Sequence, residues 1–287
     1  MGGTLYRDMA NAIVLAFDDG FAHYAVACLN SISLNYPNHP SILIQYDGCS
    51  AGVEAAIDRI GGRQLAATGH VRSAFAGAPG GPVGSALIYD RFAIWADGLP
   101  AYDKVLYLDA DTLVLKPLDG IFERDRFLAV ANHEPTEFVR VFDPASAGDR
   151  ELHRLLREDG IPYPSRMDDM INAGVMMIPR SYRNVEQYER ILHLYRRYRI
   201  HLHYADQSLL SLWCAANGIR PDTCFQYNFQ SPFFTDPEID IAFEDIHVLH
   251  FSGTRKPPTP HFRTWQRVGD AALKCEALFE LYLNAYE

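Results

Sequence analysis

Short apolar runs alternate with amphipathic stretches through the first half of the chain. Ala12-Ile-Val-Leu-Ala-Phe17 reads as a buried strand. Asp18-Asp19-Gly20 is a turn. Residues 21–35 then set Ala25, Leu29 and Ile32 at helical spacing, and Pro37 and Pro40 end that helix. Ser41-Ile-Leu-Ile-Gln-Tyr46 repeats the strand pattern, and 53–60 forms a second helix stopped by Gly61-Gly62. The order strand, helix, strand, helix predicts an α/β fold with a mixed, mostly parallel central sheet flanked by helices.

Residues 66–84 are rich in Gly, Ala and Pro and read as a surface loop, followed by a helix over 85–96. Lys104-Val-Leu-Tyr-Leu108 is the most strand-like segment, with Asp109-Ala110-Asp111 at its C-terminal end. Further strands are expected at 127–131, 173–178 and 248–251, and helices at 185–198, 206–217 and 266–284. Residues 133–169 are polar and irregular, with a short helix at 149–158. With no repeat or linker, 1–287 reads as a single domain: a half at 12–132, a second half at 133–265, and a closing helix at 266–287.

Lys and Arg total 26 against 36 Asp and Glu, a net charge of −10. That balance argues against nucleic-acid partners, which select basic surface. Five cysteines, an odd number without a CxxC pair, read as free thiols in a reducing compartment, the cytoplasm. The apolar run at 12–17 is too short for a signal-peptide core, and no stretch approaches the ~20 apolar residues of a membrane span.

The strongest chemical signal is KVLYLDADTLVL, residues 104–115. In an extended segment, residues two apart share a face, so Asp109 and Asp111 would point into one site at a strand's C-terminal end. Two such carboxylates resist joint ionisation, and a divalent cation, Mg²⁺ or Mn²⁺, relieves the repulsion. The second signal is His250-Phe-Ser-Gly253-Thr-Arg-Lys256-Pro257. There a strand delivers an imidazole, Gly253 allows close backbone approach, and Lys256 offers a compact positive charge to phosphate. An acidic DxD after a strand occurs in haloacid-dehalogenase-like phosphatases and in nucleotide-sugar glycosyltransferases. Thr112 follows here without the glycine of the phosphatase signature.

Five blocks in order decide between them: AIVLAFDDGF (12–21), IYDRF (88–92), KVLYLDADTLVL, INAGVMMI (171–178) with ADQSLL (205–210), and LHFSGTRKP (249–257). With these the sequence resembles glycosyltransferase family 8, which includes glycogenin and bacterial lipooligosaccharide galactosyltransferases. The resemblance implies a GT-A type fold and a retaining, Mn²⁺-dependent transfer of a hexose from a UDP-sugar to a hydroxyl on a glycan or glycolipid acceptor. It implies Asp109, Asp111 and His250 as metal ligands, with Ala110 between the acids. Gly253 and Lys256 fall on the diphosphate contacts. Ala16 and Asp18 fall on residues reading the uracil, with Phe21 stacking on that base. Arg91 matches a donor-binding arginine. Asn172, Ala173 and Gly174 line the donor sugar, and Asp206 and Gln207 stand beside the anomeric carbon as catalytic groups.

Plainer readings accompany these. Asp18 suits a turn, Arg91 can pair with Asp90 or Asp97, Asn172 can satisfy a strand end, and Asp206 suits a helix N-cap. A phosphatase using Asp109 as nucleophile and a silent nucleotide-sugar-binding protein are the alternative classes. Two departures from the family pattern stand out. Pro258 occupies the place of the usual Trp, leaving Trp265 as the nearest such ring, and Gly20 offers the base no side chain. His133, Glu134, Arg140, Asp143, Arg154, Tyr163 and Arg166 suit a polar acceptor.

Overall fold

The computed structural model describes residues 10–65, 69–75, 86–132, 147–162, 170–202, 204–220, 222, 224–236, 238–253, 256–257 and 270–286. In chain order the strands are β1 (Asn11–Asp18), β2 (Ser41–Asp47), β3 (Arg63–Gln64), β4 (Lys104–Leu108), β5 (Thr112–Val114), β6 (Leu128–Ala131), β7 (Ile171–Pro179), β8 (Phe229–Gln230) and β9 (Val248–His250). The helices are α1 (Ala22–Asn35), α2 (Ala51–Arg59), α3 (Gly69–Ala74), α4 (Ala93–Ala96), α5 (Asp119–Phe122), α6 (Ala147–Glu158), α7 (Val185–Tyr198), α8 (Ala205–Ala216) and α9 (Asp270–Leu283).

Six strands form the main sheet in the order β3-β2-β1-β4-β7-β6. β1 pairs parallel with β2 and β4, while β7 runs antiparallel to both β4 and β6. The apolar runs follow from burial on both faces. Ala12, Val14, Val105 and Tyr107 join a core with Ile191, Leu209 and Trp213 from α7 and α8. Ile13, Leu15, Leu106 and Leu108 face the other way, against Ala25, Leu29 and Ile57 from α1 and α2. A second sheet, β5-β9-β8, packs Leu113, Phe229 and Leu249 against Cys275 and Phe279 of α9.

The architecture matches the expected mixed, mostly parallel α/β fold, with local differences. The segment expected as a helix over 85–96 is a 3-10 helix at Ala86–Phe92 running into the single turn of α4. Within 66–84, expected as loop, Gly69–Ala74 forms α3 because Val71 finds a fully buried place and Arg72 a carboxylate partner, Asp90. The brief β3, β5, β8 and α5 carry too few residues to show a period. Residues 133–146, 163–169 and 258–269 lie outside the described residues, so most of the expected acceptor segment, together with Pro258 and Trp265, lies there. Arg154 on α6 is bonded to Glu151 and Glu158 of its own helix. All five cysteines are free. Among the described residues no helix is long and apolar enough to cross a membrane.

One buried side chain anchors the approach to β4. Gly98 and Leu99 both adopt left-handed backbone, with φ of 62° and 40°. Arg183, 3% exposed, donates to the carbonyls of Gly98 at 2.6 Å, Leu99 at 3.1 Å, Tyr102 at 2.7 Å and Ile178 at 3.1 Å. Its rigid fork satisfies four carbonyls at once. Arg183→Met keeps the volume and removes every donor. It is expected to lower unfolding free energy by about 3 kcal/mol in urea denaturation. A loss below about 1 kcal/mol would mean that water replaces the guanidinium there.

Candidate active site

Between β4 and β5 the chain leaves one sheet and enters the other. Asp109 and Asp111 sit in that connecting turn. Their carboxylates therefore converge through a turn, not through strand alternation as the spacing alone predicts. The main-sheet ladder ends at Leu108 opposite Val175, and the second sheet opens at Thr112 opposite His250. Asp109 N donates to Gly174 O at 2.7 Å, and Phe251 N donates to Asp111 O at 3.0 Å. Each sheet thus holds one of the two acids. The Thr112 hydroxyl donates to Asp109 O at 2.8 Å and closes the turn.

His250, the last residue of β9, completes the group. Its Nε2 lies 3.4 Å from Asp111 Oδ1 and 3.9 Å from Asp109 Oδ2. One ligand atom from each of the three residues falls within 4.8 Å of the others. The other oxygen of each carboxylate is already engaged. Asp109 Oδ1 accepts from Arg91 Nη2 at 2.9 Å and from the Tyr107 hydroxyl at 2.8 Å. Asp111 Oδ2 accepts from Lys256 Nζ. Two carboxylate oxygens and an imidazole nitrogen therefore face a common point, a donor set that fits a hard or borderline divalent cation. Burial would raise the Asp111 carboxyl, but Lys256 and His250 hold it well below the usual carboxylate range.

Arg91 links this group to Asp206. It is 6% exposed, and Nη1 lies 3.0 Å from Asp206 Oδ2 and 2.8 Å from Ala173 O. Its guanidinium carbon sits 4.6 Å above the Tyr107 ring. Of the plainer pairings, Asp90 is taken by Arg72 and Asp97 by His70. Burial lowers the Arg91 guanidinium, but Asp109 and Asp206 outweigh it and keep it above its ordinary value. Burial raises the Asp206 carboxyl; Arg91 draws it back, Asp109 adds to the rise, and it stands at about 6. Ala205 directly before it has φ 45°, a left-handed conformation that L-residues rarely adopt.

Residues 172–174 at the start of β7 underlie the group. Asn172 Oδ1 accepts from Gly174 N at 3.0 Å, and Gln207 Oε1 accepts from Ala173 N at 3.5 Å. A Cβ on Gly174 would lie 2.2 Å from His250 Cε1, so the imidazole rests where any other side chain would begin. Gly253, with φ 80°, adopts left-handed backbone shortly after β9. Lys256 Nζ also stands 5.6 Å from the centre of the Phe21 ring. Asp18, at the end of β1, accepts from Gly20 N at 2.9 Å in its own turn, and Ala16 is half-buried on the same strand. Ala110 is buried within the DxD turn.

Sequence reading missed Tyr107, Asp19 and Asn228. Tyr107 stands two residues before Asp109, a same-face spacing that could have found it. Asp19 accepts from the Tyr46 hydroxyl and from Cys49 N, tying the end of β1 to the loop after β2. Asn228, bonded to His250 Nδ1 at 3.0 Å, lies in a segment with no chemical signature.

This fold and site define a glycosyltransferase of the GT-A type. The chain belongs to Glycosyl transferase family 8, whose model matches residues 12–258. That membership sets the phosphatase reading aside. The fold is similar to that of the galactosyltransferase LgtC solved with donor and acceptor sugar analogues. That likeness has TM-score 0.63 and 21% identity over 94% of this chain and 95% of that one. It is also similar to the glycosyltransferase GlyE of Streptococcus pneumoniae TIGR4, with TM-score 0.61 and 19% identity over 97% of this chain and 63% of that one. No curated protein matches the sequence.

The Asp206 shift has a signed consequence. Its carboxyl stands at about 6 in the fold against an ordinary 3.8, so the folded chain holds the proton more tightly than the unfolded chain does. Ionisation above that value costs stability that is regained as pH falls through 6 toward 4. Asp206→Asn is neutral throughout. The variant is expected to melt above the wild type at pH 7.5 in chelator, with an advantage that shrinks toward pH 4.5. Equal melting temperatures at both pH values would show that Arg91 fully compensates the buried charge.

Proposed function

We propose that this enzyme transfers a hexose from a UDP-sugar to a hydroxyl of a glycan or glycolipid acceptor, with retention of configuration. The observation that carries the reading is the Asp109–Asp111–His250 group with Lys256 beside it. Those three residues would hold a divalent cation, Mn²⁺ or Mg²⁺, which when bound neutralises the donor diphosphate and favours departure of UDP. Lys256 moves its charge from Asp111 to a phosphate oxygen as negative charge develops there. Ala16, Asp18 and Phe21 receive the uracil, Gly253 lets the backbone approach the diphosphate, and Asn172, Ala173 and Gly174 border the sugar.

Asp206 and Gln207 orient the sugar and stabilise positive charge at its anomeric carbon. Asp206 is held against Arg91, which makes it a poor free nucleophile and a good fixed countercharge. The reading that follows is front-face substitution. The anomeric carbon–oxygen bond to UDP breaks, the acceptor oxygen bonds to the same face, and the acceptor proton passes to the departing diphosphate oxygen.

A UDP-release screen over UDP-sugars, run with Mn²⁺ and with chelator, tests this. Donor-specific release that requires Mn²⁺ is expected. Asp111→Ala is expected to lower turnover by about 100-fold or more, corresponding to ~2.7 kcal/mol of transition-state stabilisation, with an unchanged circular dichroism spectrum. Near-normal transfer by Asp111→Ala in chelator would remove the metal from the mechanism. Tight UDP binding without turnover across donors and acceptors would support a silent binding protein instead.

A further inference from the structure

A chain of hydrogen bonds of fixed direction leads from the backbone of β7 to the imidazole of His250. It begins at Gly174 N, which can only donate, and does so to Asn172 Oδ1 at 3.0 Å. That bond sets the orientation of the Asn172 amide, because its oxygen must face the backbone. The same oxygen lies 3.0 Å from the Asn228 side chain, so Asn228 must present its NH₂ group there. Its carbonyl oxygen is then turned toward His250 Nδ1, at 3.0 Å. An acceptor at that position requires a proton on Nδ1. The neutral ring is left with its lone pair on Nε2, the nitrogen that faces Asp109 and Asp111.

We infer that Asn228 is a positioning residue that fixes the tautomer and ring orientation of His250, holding Nε2 ready as a ligand. The role rests on the proposed metal site. Asn228 is 0% exposed and His250 3% exposed, so water does not readily take over the bond. The Cε1 edge of the ring also lies against the bare Cα of Gly174. Partners of this kind, bonded to the far nitrogen of a ligating histidine, typically change metal affinity by ~10–100-fold when removed.

The test needs no sugar nucleotide. Long-range ¹H–¹⁵N spectra of the metal-free wild type at pH 8, with His250 assigned from the difference made by His250→Gln, are expected to show a proton on Nδ1. Mn²⁺ titration followed by the resonance of the free ion is expected to give Asn228→Leu an affinity ~10–100-fold below wild type. Asn228→Asp keeps an acceptor for Nδ1–H and is expected to retain that tautomer and bind more tightly than Asn228→Leu, even though it loses the bond to Asn172. If Asn228→Leu does not fold, the wild-type tautomer and Asn228→Asp still decide. An unprotonated Nδ1 in the wild type, or Mn²⁺ affinity within about twofold of wild type in folded Asn228→Leu, would overturn the inference. If the wild type binds no Mn²⁺, the metal reading fails separately, and the tautomer alone decides whether Asn228 sets the ring.

Discussion

Asp109 and Asp206 share one buried guanidinium, and the site is arranged around that constraint. Two like charges taken out of water repel each other and lose hydration, and each uncompensated ion costs several kcal/mol. Arg91 contacts one carboxylate with each of its terminal nitrogens and also donates to the carbonyls of Ala173 and Ile88. A lysine could not do this, because its ammonium is a point charge without a planar fork. The consequence reaches into the fold. The 3-10 segment that carries Arg91, the end of β4, the start of β7 and the start of α8 must all meet at one guanidinium.

Charge is then divided oxygen by oxygen. On Asp109, one oxygen answers Arg91 and Tyr107 while the other turns to His250. On Asp111, one answers Lys256 and the other turns to His250. The two cations suppress the repulsion that would otherwise protonate one acid, and the remaining oxygens stay available as ligands. A chain of net charge −10 can therefore present a site suited to an anionic diphosphate. On the proposed reading a ligand there would meet Lys256, Arg91 and a held cation set against Asp109, Asp111 and Asp206, while distant surface acids are screened within ~8–10 Å.

The longer strands of the main sheet were legible because they are buried on both faces and leave continuous apolar runs. The long helices were legible because α7 keeps its apolar residues on one side. The DxD and the HxxGxxK segment were legible because their chemistry is local in sequence. The turn geometry of Asp109–Asp111 was not, since it follows from β5 joining a different sheet, a pairing with residues 248–250 that no local pattern records. Arg91 was singled out, but its partners were not, because both lie across the fold. Asn228 left no trace in the sequence: a polar residue among aromatic neighbours acquires meaning only when β8 is laid beside β9.

The single reversed strand explains why these groups converge where they do. β1 and β4 point their C-terminal ends at the site, as parallel strands in open α/β sheets do. β7 runs the other way, so it brings its N-terminal end there. Its ladder with β4 stops at Val175, and the backbone of 172–174 is released from regular pairing with that strand. Those few peptide groups then do separate tasks. Ala173 O receives Arg91, Ala173 N reaches Gln207, Gly174 O receives Asp109 N, and Gly174 N orients Asn172. Side chains rotate, but backbone donors and acceptors have fixed polarity, so a site referenced to them is organised before any ligand arrives. The absent side chain of Gly174 belongs to the same logic, because only a bare Cα lets the His250 ring lie against the strand whose amide sets its tautomer.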